Sequence, residues 1–319
     1  MQLRQTLNAA VERLTSAGVP SPRMNAELLI MFTLGCDRAY LYAHPERDLT
    51  PDEVQRYDKA LARRSNGTPA QYITEHQEFW GLDLIVSPAV LIPRPETEHL
   101  VEAVLELSRS VVQKQEQGQK PRTGMSAPHK QLQIVDVGTG SGAIALALSK
   151  ELPGAHLQAI DISHEALEIA RANASRHDLA SRIEFRQGDL LAGFPPASLD
   201  FVVSNPPYVG ESEEDSVQLE VRKFEPRNAV FAGPTGLEVI ERLIPQANTT
   251  LVPGGWLLFE ISGTIADRVR ALLAGWDEVA IRNDLQGIAR VALARKARAT
   301  EGHPILRRDG ARPVSTEQC

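Results

Sequence analysis

The group of residues in this sequence best suited to chemistry is Asn205-Pro206-Pro207-Tyr208. It follows an apolar run at residues 200–203 that predicts a short β-strand. Neither proline has an N–H to donate to a strand ladder, so the strand must end there. A residue before proline is restricted to extended backbone, which fixes the direction of the Asn205 side chain. The group is therefore either a rigid turn or a preorganised polar site at the end of a buried strand.

A glycine-rich segment, Gly138-Thr139-Gly140-Ser141-Gly142, is the second such group. It lies between a predicted strand at residues 134–137 and a predicted helix at residues 143–152. Glycines there allow a sharp turn and a close approach of the backbone to a ligand, with the helix N-terminus facing it. Because Gly138, Gly140 and Ala143 also fit a dinucleotide-binding pattern, the segment alone is compatible with a nicotinamide or flavin enzyme.

Acidic residues follow the next two predicted strands. Asp161 comes after a strand at residues 156–160, where a carboxylate can accept hydrogen bonds from both hydroxyls of a ribose. Asp189 and Leu190 follow a strand at residues 183–186, where they can meet the edge of an adenine. Ligands of open α/β sheets bind beyond the carboxyl ends of the strands. The acidic residues, the glycine segment and Asn205 all occupy such ends, so they point to one site.

The elements that carry these groups alternate between strand and helix from residue 132 onward. This alternation is typical of an α/β fold with a doubly wound, largely parallel sheet. The last two predicted strands are too close in sequence for a helical crossover and should form an antiparallel hairpin at one edge. Strands are also predicted at residues 199–203, 256–261, 278–281 and 290–293, and helices at residues 165–177, 237–247 and 266–273.

The N-terminal region has a different pattern, typical of a small helical bundle. Apolar residues at positions 3, 7, 11 and 14 share one helical face, and a second helix is predicted between Ser21 and Gly35. Thr50-Pro51-Asp52-Glu53 is a capping box that begins a third helix ending near Ser65. The predicted organisation is a helical domain at 1–75, a β-hairpin linker at 76–93 turned at Gly81, a sheet domain at 94–296 with a polar insertion at 114–130, and a disordered tail at 297–319.

Composition narrows the possible classes of function. The chain has 319 residues, 42% of them hydrophobic, which is enough for a substantial core and more than one domain. Its 34 basic and 41 acidic residues give a net charge of −7, so no overall positive field attracts it to nucleic acid or anionic lipid. Cys36 and Cys319 fit neither a disulfide framework nor a zinc site. With no membrane-length apolar run and no signal-peptide core, we expect a cytoplasmic protein without a metal.

Together, these groups resemble the class I S-adenosyl-L-methionine (SAM) methyltransferases that modify amide or exocyclic amino nitrogens. The resemblance implies a Rossmann-like sheet of seven strands, in which the strand before Asn205 lies beside the strand before Gly138. It also implies SAM as the cofactor. The residues expected to bind SAM are Gly138, Thr139, Gly140, Ser141, Gly142, Asp161, Asp189, Leu190 and Asn205.

In such a site, Asn205 and Pro206 can position a planar and weakly nucleophilic amide nitrogen. The Asn205 side-chain oxygen and the Pro206 carbonyl can accept both N–H bonds, which aims the nitrogen lone pair at the methyl donor. Pro207 completes the rigid frame, and Tyr208 is expected to pack on the flat amide. No general base is needed, because the methylated amide cation loses its proton readily.

Three further segments are similar to the peptide chain release factor N5-glutamine methyltransferases, the PrmC/HemK family, and the resemblance covers roughly residues 1–295. The segments are Val90-Leu91-Ile92-Pro93-Arg94-Pro95-Glu96-Thr97-Glu98, Phe224-Glu225-Pro226-Arg227 and Asp284-Leu285-x-Gly287. The resemblance implies methylation of the glutamine in the Gly-Gly-Gln loop of release factors, with the helical domain gripping the factor. Arg94 and Glu96 would shape the substrate pocket or form structural salt bridges. The expected partner is a release factor, with no direct nucleic acid or membrane contact, and the enzyme is expected to be a monomer.

Two departures from that family and several rival functions bear on this interpretation. Ser262 stands where the family has glycine, and Ala289-Arg290 replaces the usual Asp, which affects local loop shape. A ribosomal protein L3 glutamine methyltransferase shares Asn-Pro-Pro-Tyr but has a different lead-in. An adenine-N6 methyltransferase of nucleic acids would need a basic surface, and the net charge of −7 argues against one. A dehydrogenase would need a hydride-handling residue, and we find none in the sequence. A non-catalytic SAM-binding adaptor would have no reason to keep both the glycine segment and Asn-Pro-Pro-Tyr.

Overall fold

The computed structural model describes residues 1–118 and 131–298. Within residues 1–75, helices α1, α2 and α4 confirm the predicted ones, and Leu14, Leu29 and Tyr57 lie in a core that these helices enclose. The capping box of α4 is present. Two short helices, α3 and α5, were not predicted because five or six residues are too few to show a helical period. The bounds are α1 (Leu3–Ser16), α2 (Pro22–Leu34), α3 (Arg38–Ala43), α4 (Pro51–Ser65) and α5 (Ala70–Thr74).

A hairpin of β1 (His76–Phe79) and β2 (Leu82–Ile85) follows, as predicted, with its turn at Trp80-Gly81. The buried side chain of Asn173 fastens it to the rest of the molecule. Asn173 accepts a hydrogen bond from the Ile85 N–H (2.7 Å) and donates to the carbonyls of Ile85 (3.0 Å) and Ser141 (2.9 Å). The hairpin is therefore tied to the glycine-rich segment.

The seven-stranded sheet has the predicted class I methyltransferase form. Its strand order is β10-β11-β9-β6-β3-β4-β5, in which β3, β4, β5, β6 and β9 run parallel and β11, next to the edge strand β10, runs antiparallel to both of its neighbours. The strand before Asn205, β6, pairs with β3, so the two polar groups lie side by side. The bounds are β3 (Gln133–Val137), β4 (His156–Asp161), β5 (Ile183–Gln187), β6 (Leu199–Ser204), β9 (Leu251–Glu260), β10 (Asp277–Asn283) and β11 (Ala289–Arg295).

Helices cover both faces of the sheet, because alternate residues of each buried strand point to opposite sides. Ile134 and Val203 belong to the core beside α6 and α7, whereas Val135 and Val202 belong to the core beside α11 and α12. The helices of this part are α6 (Glu98–Gly118), α7 (Ala143–Glu151), α8 (His164–Arg176), α11 (Glu238–Thr250) and α12 (Ala266–Leu272).

Several bounds differ from the predicted ones. β9 begins at Leu251 and includes Pro253-Gly254-Gly255, whose composition is not typical of a strand. α6 continues to Gly118, into the predicted insertion. The rest of that insertion, the predicted tail from residue 299 and Cys319 lie outside the described residues.

The connection from β6 to α11 carries short elements that the sequence did not reveal. They are β7 (Val209–Gly210), α9 (Leu219–Phe224), α10 (Arg227–Val230), β8 (Phe231–Gly233) and a 3-10 helix at Glu211–Ser216. β7 and β8 pair with each other, which brings the end of this connection back to the residues after Tyr208. Among the described residues, no helix is both long and apolar enough to cross a membrane.

Candidate active site

A cavity of about 350 Å³ opens at the carboxyl ends of β3, β4, β5 and β6, where the polar groups were expected to meet. Its volume is typical of a small-molecule site. The predicted residues in its wall are Gly138, Thr139, Gly140, Ser141, Asp161, Asp189, Leu190, Asn205 and Pro207. Among the described residues, no cluster of histidine, cysteine, aspartate or glutamate could hold a metal ion.

The glycine segment forms a cradle that side chains would fill. Gly138 and Gly140 have φ angles of +72° and +55°, and a Cβ added to either would meet no atom within 4 Å. Their backbone therefore faces open space in the cavity, as an adenosine-containing ligand requires. Gly142 has a different role: a Cβ there would come within 2.6 Å of Leu146 and 3.2 Å of Ala170. It lies outside the cavity wall and allows α7 and α8 to pack closely.

Asp161 joins two of the loops that line the cavity, the glycine segment and the loop before α8. Its Oδ2 accepts a hydrogen bond from the Gly140 N–H (2.9 Å), and its Oδ1 accepts one from the Ser163 N–H (2.9 Å). Ser163 in turn caps α8, since its hydroxyl oxygen accepts from the Ala166 N–H (3.2 Å). Burial raises the pKa of the Asp161 carboxyl above its ordinary value, against these backbone hydrogen bonds. Each carboxylate oxygen has a second lone pair, so Asp161 can also accept from ribose hydroxyls.

The far wall of the cavity combines a turn and an exposed apolar side chain. Leu190 has a φ angle of +51°, and Asp189 forms an ion pair with Arg242 on α11. Ile162 lies beside Asp161 in the wall and is 59% exposed, so its apolar surface is open to a ligand in the cavity. These side chains offer a partly apolar surface for a flat aromatic base.

Asn205 lies at the junction of β6 and β3. The Ser204 hydroxyl donates to the Val137 carbonyl (2.7 Å), which places Asn205 beside Gly138. The Asn205 Nδ2 donates to the Thr97 hydroxyl oxygen (3.1 Å), and the Thr97 hydroxyl donates to Glu260 (2.6 Å). This leaves the side-chain oxygen of Asn205 as the end of the amide that is available to a ligand.

Tyr208 and Pro206 stand behind the cavity wall. The Tyr208 hydroxyl donates to the second oxygen of Glu260 (3.1 Å), while Pro206 is buried between Asn205 and Pro207. Thr97 does line the cavity. Asn205, Thr97, Glu260 and Tyr208 therefore form one hydrogen-bonded network at this end of the site.

Arg94 and Glu96 lie outside the cavity wall. The Arg94 guanidinium forms an ion pair with Glu225 (2.5 Å), which also accepts a hydrogen bond from the Ile92 N–H (3.3 Å). Glu96 is half-buried near Arg290 and Glu260. The segment at residues 90–98, to which both residues belong, contributes Val90, Leu91, Pro93 and Thr97 to the wall instead.

Thr97, Glu260, Glu225 and Ile162 were not predicted as site residues. Thr97 and Glu225 belong to motifs that were quoted for resemblance alone. Glu260 carried a signal that could have been used: it is an acidic residue at the end of a strongly apolar strand, and such a residue is rarely buried without partners. An exposed Ile162 gives no comparable signal in sequence.

Asp136, the penultimate residue of β3, is fully buried next to the glycine segment. Its Oδ2 accepts hydrogen bonds from the Thr139 hydroxyl (2.6 Å) and the Ala145 N–H (3.1 Å). Its Oδ1 has no hydrogen-bond partner among the described residues. Burial raises the pKa of Asp136 to about 7, although both hydrogen bonds act to lower it.

Because of Asp136, we expect the protein to lose stability as the pH rises from about 4 to about 7. Over that range the folded state keeps a proton that the unfolded chain has released, so the free energy of unfolding falls. Asp136→Asn resembles the protonated acid and cannot ionise, so it should remove the part of this loss that falls between about pH 5.5 and about pH 8, roughly 2 kcal/mol. Melting temperatures of parent and variant at about pH 5.5 and about pH 8 check this. A difference between the two proteins that does not change with pH would contradict it.

The strand order, the glycine cradle and the carboxylate at the end of β4 define a class I SAM-dependent methyltransferase. Comparison with known proteins agrees. Residues 5–74 match the PrmC N-terminal domain family, and residues 124–223 match the Methyltransferase small domain family.

Relatives extend the match over most of the chain. The release factor glutamine methyltransferase of Koribacter versatilis is 52% identical over 297 residues, which cover 93% of this chain and 99% of the relative. Those of Moorella thermoacetica and Deinococcus radiodurans are 42% and 39% identical, covering 85% and 93% of this chain and 89% and 99% of theirs. The chain belongs to the release factor glutamine methyltransferase family.

Proposed function

We propose that this protein transfers a methyl group from SAM to the side-chain amide nitrogen of the glutamine in the Gly-Gly-Gln motif of a peptide chain release factor. The observation that carries the proposal is the orientation of Asn205 in the cavity wall. Its Nδ2 is bonded to Thr97 (3.1 Å), so its oxygen is left to accept an N–H from a substrate amide. Incubation with SAM and an intact release factor, followed by peptide mass spectrometry, tests the proposal.

Asn205 and the backbone carbonyl of Pro206, a residue that is itself outside the cavity wall, are proposed to act on the substrate nitrogen. The Asn205 oxygen and the Pro206 carbonyl accept the two N–H bonds of the glutamine amide and hold its nitrogen in one orientation. Both acceptors also stabilise the positive charge that develops on that nitrogen. When bound, SAM supplies an electrophilic methyl group. The new C–N bond forms as the S–C bond breaks, and the nitrogen then gives up one proton to its surroundings.

A second group of wall residues is proposed to hold the cofactor. Asp161 would accept the ribose hydroxyls, the backbone of Gly138 and Gly140 would approach the cofactor closely, and Ile162 and Leu190 would pack against the adenine. The open space at the two glycines and the second lone pairs on the Asp161 oxygens support this assignment.

The helical unit at residues 1–75 is proposed to bind the body of the release factor. It does not touch the cavity, yet its Arg64 reaches across to Glu220 on α9 (2.6 Å) and is itself only 4% exposed. Gly67 also lies against Phe224 of the same helix. These contacts support a fixed placement of the unit relative to the substrate entrance. We further propose that the enzyme acts as a monomer in the cytoplasm, without direct nucleic acid contact.

Replacing Asp161 with alanine should weaken SAM binding by roughly 1.5 to 3 kcal/mol, the range for hydrogen bonds to a charged group. The variant loses both the ribose acceptors and the hydrogen bond that orients the Gly140 N–H. Calorimetry measures the effect. Glu168→Ala, which removes an exposed carboxylate from α8, is the matched control and should bind SAM as the parent does. Unchanged affinity in Asp161→Ala would remove Asp161 from the cofactor site.

A further inference from the structure

The network behind Asn205 joins three separate parts of the chain. Thr97 belongs to the 3-10 helix Pro95–Thr97 before α6, Glu260 ends β9, and Asn205 and Tyr208 follow β6. Thr97 is 4% exposed and Glu260 is 2% exposed, so neither exchanges its hydrogen bonds freely with water. The distances along the network are 3.1 Å, 2.6 Å and 3.1 Å.

The direction of each hydrogen bond in this network follows from the groups present. Both side-chain oxygens of Glu260 act as acceptors: Oε2 accepts from the Thr97 hydroxyl, and Oε1 accepts from the Tyr208 hydroxyl. Thr97 has one hydroxyl proton and gives it to Glu260, so its oxygen must accept from Asn205. The NH₂ end of the Asn205 amide therefore faces Thr97, and the oxygen end faces the cavity.

The opposite arrangement would disable the site. If the Thr97 hydroxyl donated to Asn205 instead, the amide would turn so that its oxygen met Thr97 and its NH₂ faced the substrate. A glutamine side chain also presents N–H groups there, so two donors would oppose each other across the contact. Acceptance of the Thr97 proton by Glu260 is thus the feature that keeps the Asn205 oxygen free for the substrate.

The hydrogen bonds of Glu260 fix the orientation of its side chain. Burial raises the pKa of Glu260 above its ordinary value, against the hydrogen bonds from Thr97 and Tyr208 and the positive charge of Arg290 on β11, which act to lower it. Its two oxygens are each occupied by one hydroxyl, so the carboxylate is held in a single orientation.

We propose that Glu260 and Thr97 are positioning residues that hold the Asn205 side-chain oxygen toward the substrate amide. This inference rests on the proposed function, because it concerns the acceptor that the glutamine would meet. Neither residue needs to touch the substrate nitrogen. If the network only linked the 3-10 helix to β9, removing its hydrogen bonds would lower the stability of the protein without slowing methyl transfer.

Three full-length variants test the proposal by single-turnover methyl transfer to an intact release factor. Thr97→Val keeps the side-chain shape but removes the hydroxyl, and Thr97→Ser keeps the hydroxyl. Glu260→Gln keeps the shape but places an NH₂ against one of the two hydroxyls. We expect Thr97→Val and Glu260→Gln to be about ten to a hundredfold slower, with Thr97→Ser within about threefold of the parent.

Two further readouts separate positioning from loss of fold. SAM affinity by calorimetry and KM for the release factor should stay within about twofold of the parent in all three variants, so that the loss appears in kcat. The double variant Thr97→Val with Glu260→Gln should be no more than about twofold slower than the slower single variant, because both changes break the same network. If Thr97→Val fails to bind SAM, the pair Glu260→Gln and Thr97→Ser decides the question in the same assay.

The proposal is overturned if Thr97→Val or Glu260→Gln binds SAM and transfers methyl within about threefold of the parent. It is also overturned if Thr97→Ser is as slow as Thr97→Val, since the hydroxyl would then not be the required group. Asn205→Ala separates this failure from failure of the proposed function. A slow Asn205→Ala together with normal Thr97 and Glu260 variants would remove only the positioning role.

Discussion

Asn205→Ala is expected to transfer methyl groups at least about a hundredfold more slowly than the parent while still binding SAM. The side-chain oxygen is proposed to accept an N–H from the substrate amide. Pro206 and Pro207 restrict the backbone after Asn205, so the oxygen is held in one position. The loss of one preorganised hydrogen bond of this kind costs about 10² to 10³ in kcat. The substitution removes the amide group that Asn205 presents to the cavity. The glycine cradle and Asp161, which are proposed to hold SAM, are unchanged.

Single-turnover transfer to a release factor is the appropriate assay, because it isolates the chemical step from product release. Asn248→Ala makes the same chemical change on an exposed face of α11 and should behave as the parent. Asn205→Asp should also be slow. It keeps an acceptor but loses the NH₂ that donates to Thr97 and adds a charge beside it. An Asn205→Ala protein that bound SAM and reacted within about threefold of the parent rate would contradict the mechanism.

Removal of residues 1–68 is expected to lower kcat/KM for intact release factor by at least about a hundredfold, a loss of roughly 3 kcal/mol of binding energy. The helical unit has its own core and takes no part in the cavity, so its proposed contribution is contact with the partner protein. The truncation ends before Tyr72, because the Tyr72 hydroxyl donates to the Val90 carbonyl (2.6 Å) beside the cavity. Glu220 loses Arg64 but is partly exposed and can be hydrated.

A short Gly-Gly-Gln peptide provides the control for this truncation. The truncated and full-length proteins should methylate the peptide at similar rates and bind SAM with similar affinity, since both retain the cavity. The ratio of kcat/KM for the intact factor to kcat/KM for the peptide then measures the contribution of the helical unit to binding the factor. If the truncated protein methylates the intact factor with unchanged efficiency, the contact with the partner lies elsewhere.

Local patterns were sufficient to predict most of the fold. The buried strands β3, β4 and β6 are short apolar runs, and each is followed by residues that cannot continue a strand or that suit a ligand. Glycines at positions 138 and 140 and the carboxylate at Asp161 were assigned to the cavity from their place after those runs. The structure brings these residues together because parallel strands place their carboxyl ends at the same edge.

Contacts between distant parts of the chain account for what the sequence did not predict. Thr97 and Glu260 are 163 positions apart, and Arg94 and Glu225 are 131 apart, so no local period connects them. Gly142 was grouped with its neighbours by sequence, but its requirement for a small residue comes from Ala170 on another helix. Sequence pattern identifies residues at strand ends well, and it does not reveal which side chains orient them.

The most direct test of glutamine methylation is peptide mass spectrometry of an intact release factor after incubation with this protein and SAM. We expect one added methyl group on the peptide that contains Gly-Gly-Gln, with fragment ions that place it on the glutamine side chain. The same reaction with Asn205→Ala should leave that peptide unmodified over the same time. A methyl group on any other residue, or none at all with SAM bound, would contradict the assignment of this site to glutamine methylation.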